Sequence, residues 1–174
     1  SIAILHEVLE AYPDRKEQVR IITHTENSGI AAVRNTALSL AAGDYVMWVD
    51  SDDYLALNAV ELLEQKATET NADLVILDYY EVRGARKFPR TDRLPSTKEE
   101  YVRDILNRRV SVSVWNKFAR RSLYMDNYIR FLPDRDYGED FLVAAQLACL
   151  SAHTVKLDDP LYYYVHRGAS LANT

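Results

Sequence analysis

The chain has 174 residues, 48% of them hydrophobic and 27% charged, a balance that suits one globular domain with a real core. Its 21 basic and 26 acidic side chains leave a net charge of −5, an unpromising surface for nucleic acid. No apolar run approaches the roughly 20 residues of a spanning helix and no signal peptide is visible, so the expected setting is cytoplasmic. The single cysteine, Cys149, excludes an internal disulfide framework and, in its apolar run, is expected to be a buried structural thiol.

Leu5, Val8, Leu9 and Tyr12 stand at helical spacing and predict a helix over 2–12, ended by Pro13. Residues 19–23 read as a strand. Asn27-Ser28-Gly29 predicts a turn and supplies cap candidates for a helix over 30–42, with Ile30, Val33, Ala37 and Leu38 on one face. Gly43-Asp44 breaks that helix, and 45–49 is a β-branched and aromatic run that predicts a buried strand stopping at Asp50. A helix over 58–70, with Val60, Leu63 and Ala67 inward, and a buried strand over 73–80 follow. The stretch 83–96 is basic and interrupted by Gly84, Pro89 and Pro95, the signature of an exposed loop or an edge excursion. Thr97 and Glu100 form a capping box opening a helix to about Arg108. Beyond it, 110–118 alternates loosely, 120–125 reads as a short helix and 141–151 as a strongly apolar one. Two short strands, 154–157 and 161–165, are expected to be joined by a turn at Pro160. Strand, helix, strand order with short loops is the pattern of a parallel sheet flanked by helices.

Several clusters bear chemistry, each with a plain alternative. Asp50, Asp52 and Asp53 repel one another unless a cation is near, and the carboxyl end of a parallel strand is where open α/β sheets bind ligands. Asp50 and Asp52 alternate, so one divalent ion suits both; the alternative is a helix-capping acidic loop. Arg34-Asn35, one turn into its helix, offers donors for a phosphate or a base, or a surface pair with Glu26 or Asp44. Glu139-Asp140 either stabilises the positive end of a helix or makes Asp140 a general base oriented by Glu139. Trp115 and Lys117 read as a core anchor and a surface lysine, or as an acceptor-side floor with a cationic partner. His166 is a further candidate for a polar site.

Taken in order, the pieces resemble the family 2 glycosyltransferases of GT-A fold. The matching text is Asn27-Ser28-Gly29 through Arg34-Asn35, Ala42-Gly43-Asp44-Tyr45, Val49-Asp50-Ser51-Asp52-Asp53-Tyr54-Leu55 and Val114-Trp115-Asn116-Lys117. It continues in Tyr137-Gly138-Glu139-Asp140 and in Leu161-Tyr162-Tyr163-Tyr164 with Arg167 and Ser170. The resemblance implies an α/β GT-A domain over 1–174, with a Rossmann-like mixed, mainly parallel sheet flanked by helices. It also implies that the fold is N-terminally incomplete, the family's first strand-helix-strand unit being expected ahead of Ser1. Residues 1–96 would hold the nucleotide-sugar and metal, and 97–174 the acceptor and base.

The implied donor is a nucleotide-diphospho-sugar held by Arg34, Asn35, Asp50, Asp52 and Asp53. The implied cofactor is Mn²⁺ or Mg²⁺ on Asp52 and Asp50, with His166 as a further contact. Asp140 would be the catalytic base beside Glu139, inverting the anomeric centre in one displacement. Trp115 and Lys117 would face a saccharide or lipid-linked hydroxyl acceptor. Related enzymes build surface polysaccharide, which leaves peripheral association with the inner face of the membrane open. Two competing readings are a non-catalytic module that binds sugar nucleotides or polysaccharide, and an aspartate-nucleophile phosphotransferase. The second is disfavoured because Asp53-Tyr54-Leu55 stands where that chemistry wants Thr or Val.

Overall fold

The structure, a computed structural model, describes residues 2–133 and 138–166. Its centre is β3 (Leu74–Arg83), whose Leu74, Val75, Ile76 and Leu77 are wholly buried. A strand covered on both faces needs such a continuous apolar run rather than an alternating one. β5 (Lys117–Arg120) and then β1 (Tyr45–Met47) lie on one side of β3; β6 (Thr154–Val165) and then β2 (Tyr54–Leu55) lie on the other. β4 (Arg86–Arg90) folds back as a fully exposed edge strand on the distal half of β3, which realises the edge excursion expected of the basic stretch.

The mixed α/β class stands, but the parallel bias does not. Among the described residues the only parallel ladder is β3 with β6, and the other four are antiparallel. Strands from the two expected halves also interleave, since β5 lies between β1 and β3. β6 is one strand, not two joined by a turn. Both of its parts pair with β3, and the register slips around Pro160, opposite Asp78. A bulge tolerates a residue that has no N–H to donate.

The helices are α1 (Ile2–Ala11), α2 (Gly29–Leu40), α3 (Ala59–Thr70), α4 (Lys98–Leu106), α5 (Arg121–Asp126) and α6 (Glu139–Leu150). Thr97 caps α4, its side chain accepting the Glu100 N–H at 3.2 Å as the capping box requires. α4 packs on α6, and α3 on β3 and β6. α2 departs from its expected face: Ala31, Arg34 and Leu38 are buried, whereas Ile30 and Val33 are exposed. On α3 Leu63 and Ala67 are inward as expected, but Val60 is exposed. Residues 19–23 find no ladder partner among the described residues and are not a strand. Cys149 is exposed, because α6 turns Val143, Ala144, Leu147 and Ala148 inward and position 149 lies beyond that stripe. No helix among the described residues is long and apolar enough to cross a membrane.

Candidate active site

Three elements meet at Arg34, in the second turn of α2. Its side chain is 7% exposed, and its guanidinium lies 5.3 Å from the Phe131 ring and 6.0 Å from that of Trp48. Nη2 donates to Asp50 Oδ1 at 3.0 Å, at the end of the segment that follows β1. Nη1 donates to Glu139 Oε1 at 3.4 Å and to Asp140 Oδ1, both in the first turn of α6. Gly138, at φ +90, makes the entry into that helix, a backbone geometry that a side chain would strain. One cation therefore holds a carboxylate 16 residues away in the chain and two adjacent ones 105 and 106 residues away.

Asp140 is the acid of this cluster whose titration the fold shifts. Burial pushes its carboxyl above the ordinary aspartate value, against the opposing pull of Arg34 and of the Val114 N–H; Glu139 and Asp50 reinforce the rise. Val114 N–H donates to Oδ2 at 3.1 Å, so each Asp140 oxygen has one partner and keeps a second acceptor site. Trp48 Nε1 donates to the Tyr124 hydroxyl at 3.1 Å; burial pushes that phenol up to about 12, so it stays neutral.

The acid run divides. Asp53 N–H donates to Asp50 O at 3.0 Å, which makes 50–53 a turn. Asp53 is spent inside the fold: it accepts from the Tyr162 hydroxyl at 2.6 Å and from Val165 N–H at 2.8 Å. The same hydroxyl accepts the Asp50 N–H at 3.1 Å. Asp53 thus latches the turn to β6. Asp52 is half-buried and makes no hydrogen bond or ion pair among the described residues, and Asp50 Oδ2 is likewise uncommitted. These two carboxylates fit a hard divalent ion, which needs few protein ligands when phosphates complete its shell. No group of three or more ligand side chains occurs among the described residues.

Four further candidates lie elsewhere. Asn35 clamps the backbone of Phe131 from both sides, donating to its carbonyl at 2.7 Å and accepting its N–H at 2.9 Å. Its amide is therefore committed to the scaffold. His166 stands 3.7 Å from Glu81 and edge-on to Tyr164, and among the described residues it belongs to no group of three or more metal-ligating side chains. Trp115 is buried in a stack with Tyr162 and Tyr164, edge-on to Tyr79. Lys117 is 0% exposed and its amine is saturated by protein oxygens. Neither presents an acceptor surface. Tyr137, Arg167 and Ser170 lie outside the described residues.

The sequence reading missed Tyr162 and Val114. A buried tyrosine needs a partner for its hydroxyl, which was the available signal for Tyr162. Val114 contributes only a backbone N–H, which no side-chain pattern reports.

The strand order, the acid turn at the sheet and the α6 carboxylates define a GT-A-type domain. Among solved structures it superposes on residues 1–349 of Staphylococcus aureus TarS in complex with UDP-GlcNAc, with a TM-score of 0.76 and 22% identity over 97% of this chain and 49% of that one. The profile described as Glycosyl transferase family 2 matches residues 3–129, and the chain belongs to that family. Curated relatives include glycosyltransferase GlyG of Streptococcus pneumoniae, 28% identical over 97% of this chain and 59% of that protein. The cholesterol galactosyltransferase of Borreliella burgdorferi is 29% identical over 97% of this chain and 50% of its own length. The chain spans from about a quarter to about three fifths of the length of the curated relatives it matches.

Proposed function

We propose that this chain is the donor and base half of an inverting glycosyltransferase, moving a sugar from a nucleotide-diphospho-sugar to a hydroxyl acceptor. The observation that carries the reading is the convergence of Asp50, Glu139 and Asp140 on the buried Arg34. It joins an acid pair suited to a metal diphosphate to an acid suited to proton abstraction.

Asp140 acts as general base. A carboxyl whose proton affinity burial raises is better matched to taking a proton from an attacking hydroxyl than an ordinary aspartate is. The acceptor oxygen bonds to the anomeric carbon as the carbon–oxygen bond to the diphosphate breaks; the proton goes to Asp140 and the bonding pair leaves with the diphosphate. Asp52 and Asp50 would hold Mn²⁺ or Mg²⁺, which when bound neutralises charge on the departing diphosphate. Arg34 keeps Asp140 and Asp50 in fixed relation while Glu139 shares its charge. A structure of TarS with UDP-GlcNAc supports a uridine donor as the first one to test. The names of two relatives, a poly(ribitol-phosphate) β-glucosyltransferase and a β-N-acetylglucosaminyltransferase, support a surface-polymer hydroxyl as acceptor. That acceptor class is compatible with work at the inner face of the membrane.

The test is a melting panel of the full-length polypeptide with UDP-, GDP- and dTDP-sugars, with and without Mn²⁺. Ligand binding to the native state raises Tm by mass action. The expected result is a Mn²⁺-dependent rise with one nucleotide, accompanied by nucleotide release. No rise with any of them overturns the donor assignment. A rise without sugar transfer to any hydroxyl acceptor favours a binding module instead.

A further inference from the structure

Lys117 is fully buried, and among the described residues no carboxylate pairs with it. Its three donors go to Ser111 O at 3.0 Å, Ser113 O at 2.7 Å and Asn116 Oδ1 at 2.9 Å, which saturates the ammonium. Asp92, also buried, takes the opposite set. It accepts Ser111 N–H at 3.2 Å, and Asn116 Nδ2 donates to it at 3.0 Å. The backbone N–H of Asp92 is held in turn by Asp78 at 2.8 Å, and the other Asp78 oxygen accepts from Lys156 at 3.0 Å. The segment between α4 and β5 is therefore gripped through its carbonyls by a buried cation and through its N–H groups by a buried anion. Within that segment lies Val114, whose N–H meets Asp140 Oδ2 at 3.1 Å and whose carbonyl accepts the Lys117 N–H at 3.2 Å.

We propose that Lys117 and Asp92 are positioning residues for Asp140: they fix the 111–116 backbone so that the Val114 N–H is presented to the base. The proposal rests on the reading of Asp140 as the base. It gives the Val114-Trp115-Asn116-Lys117 run a role inside the scaffold of the site rather than on the acceptor surface. The charged groups facing Asp140 are Arg34, Glu139 and Asp50, with the Lys117 amine behind the Val114 segment. The Val114 N–H lowers the proton affinity of Asp140. Loosening the segment withdraws that N–H and moves the acid limb of the rate profile to higher pH. It also misplaces the base, at a cost of about ten- to a hundredfold in turnover.

The experiment compares full-length wild type, Asp92→Asn, Lys117→Met and Asp140→Asn. It follows UDP release from UDP-GlcNAc against pH, with donor KM and Tm for each protein. The expected result for the two positioning variants is a ten- to hundredfold lower kcat, a donor KM within twofold of wild type, and an acid limb shifted upward. Asp92→Asn is isosteric and carries the test if Lys117→Met does not fold. A lower Tm with unchanged kcat and acid limb means the network is structural only and overturns the proposal. If Asp140→Asn itself retains turnover within tenfold, the base reading fails and the proposal falls with it. Loss in Asp140→Asn alone removes the positioning role and leaves the base reading standing.

Discussion

Two buried cations flank Asp140, and they are kept charged in opposite ways. Arg34 is surrounded by Asp50, Glu139 and Asp140, so its site carries more negative than positive charge. Lys117 is surrounded by two carbonyls and an amide oxygen, without a paired carboxylate among the described residues, and burial lowers its amine to about 8. The guanidinium suits the first setting because its fork of donors serves several acids and never loses its proton. The ammonium suits the second because three donors meet three neutral acceptors. In the proposed function the acids around the first cation are the ones that take up the metal and the proton. A cation balanced by neutral oxygens marks a brace.

Removing the first cation gives the largest expected effect on folding. Arg34→Met leaves three acids facing one another, and a fall of about 3 kcal/mol in urea-unfolding stability is expected. Stability within 1 kcal/mol of wild type on the same measurement would mean that the acids do not depend on Arg34. Lys117→Met strands its buried acceptors and is expected to lose about 2 kcal/mol. The pH dependence separates the two cations further. A folded amine near 8 against the ordinary 10.5 means that the unfolded chain binds more protons between those values, so the contribution of Lys117 to stability rises with pH across that window. The gap between wild type and Lys117→Met, from unfolding curves at pH 7.5 and 10, should widen; a constant gap contradicts the lowered amine. The smallest effects sort the acid run. Asp53→Asn should lose about 1 kcal/mol of stability and keep the Mn²⁺-dependent donor shift. Asp52→Ala should keep stability and lose the shift. The reverse pattern would exchange their roles.

The elements legible in the sequence were those with a strong local signal. The capping box at Thr97, the apolar helix led by Glu139 and Asp140, and the buried run of β3 all stand where their residues predict. Residues 19–23 show the limit, because a strand exists only through its partner and periodicity does not report one. Ile30 and Val33 mark the same limit on α2, where the inward position went to Arg34. In the site, ordered motifs located Arg34, Asp50, Glu139 and Asp140, but not the geometry that joins them. Asn35, Asp53 and Lys117 sit inside the same motifs and serve the scaffold, since a motif records which residue types recur and not which way each side chain turns. Asp92 was invisible because its role depends on a backbone N–H 19 residues away, at Ser111, and on the side-chain amide of Asn116.

In the proposed function the carboxylate gathered by Arg34 and Val114 takes the acceptor's proton. The most direct test is Asp140→Asn in the full-length polypeptide, read as turnover of UDP-GlcNAc beside the Mn²⁺-dependent rise in Tm with the same donor. A general base contributes about 10²–10⁴ in rate, so turnover should fall by at least a hundredfold while the Tm shift stays within a degree or so of wild type. Turnover within tenfold of wild type, with the shift intact, would contradict the assignment of Asp140 as the base.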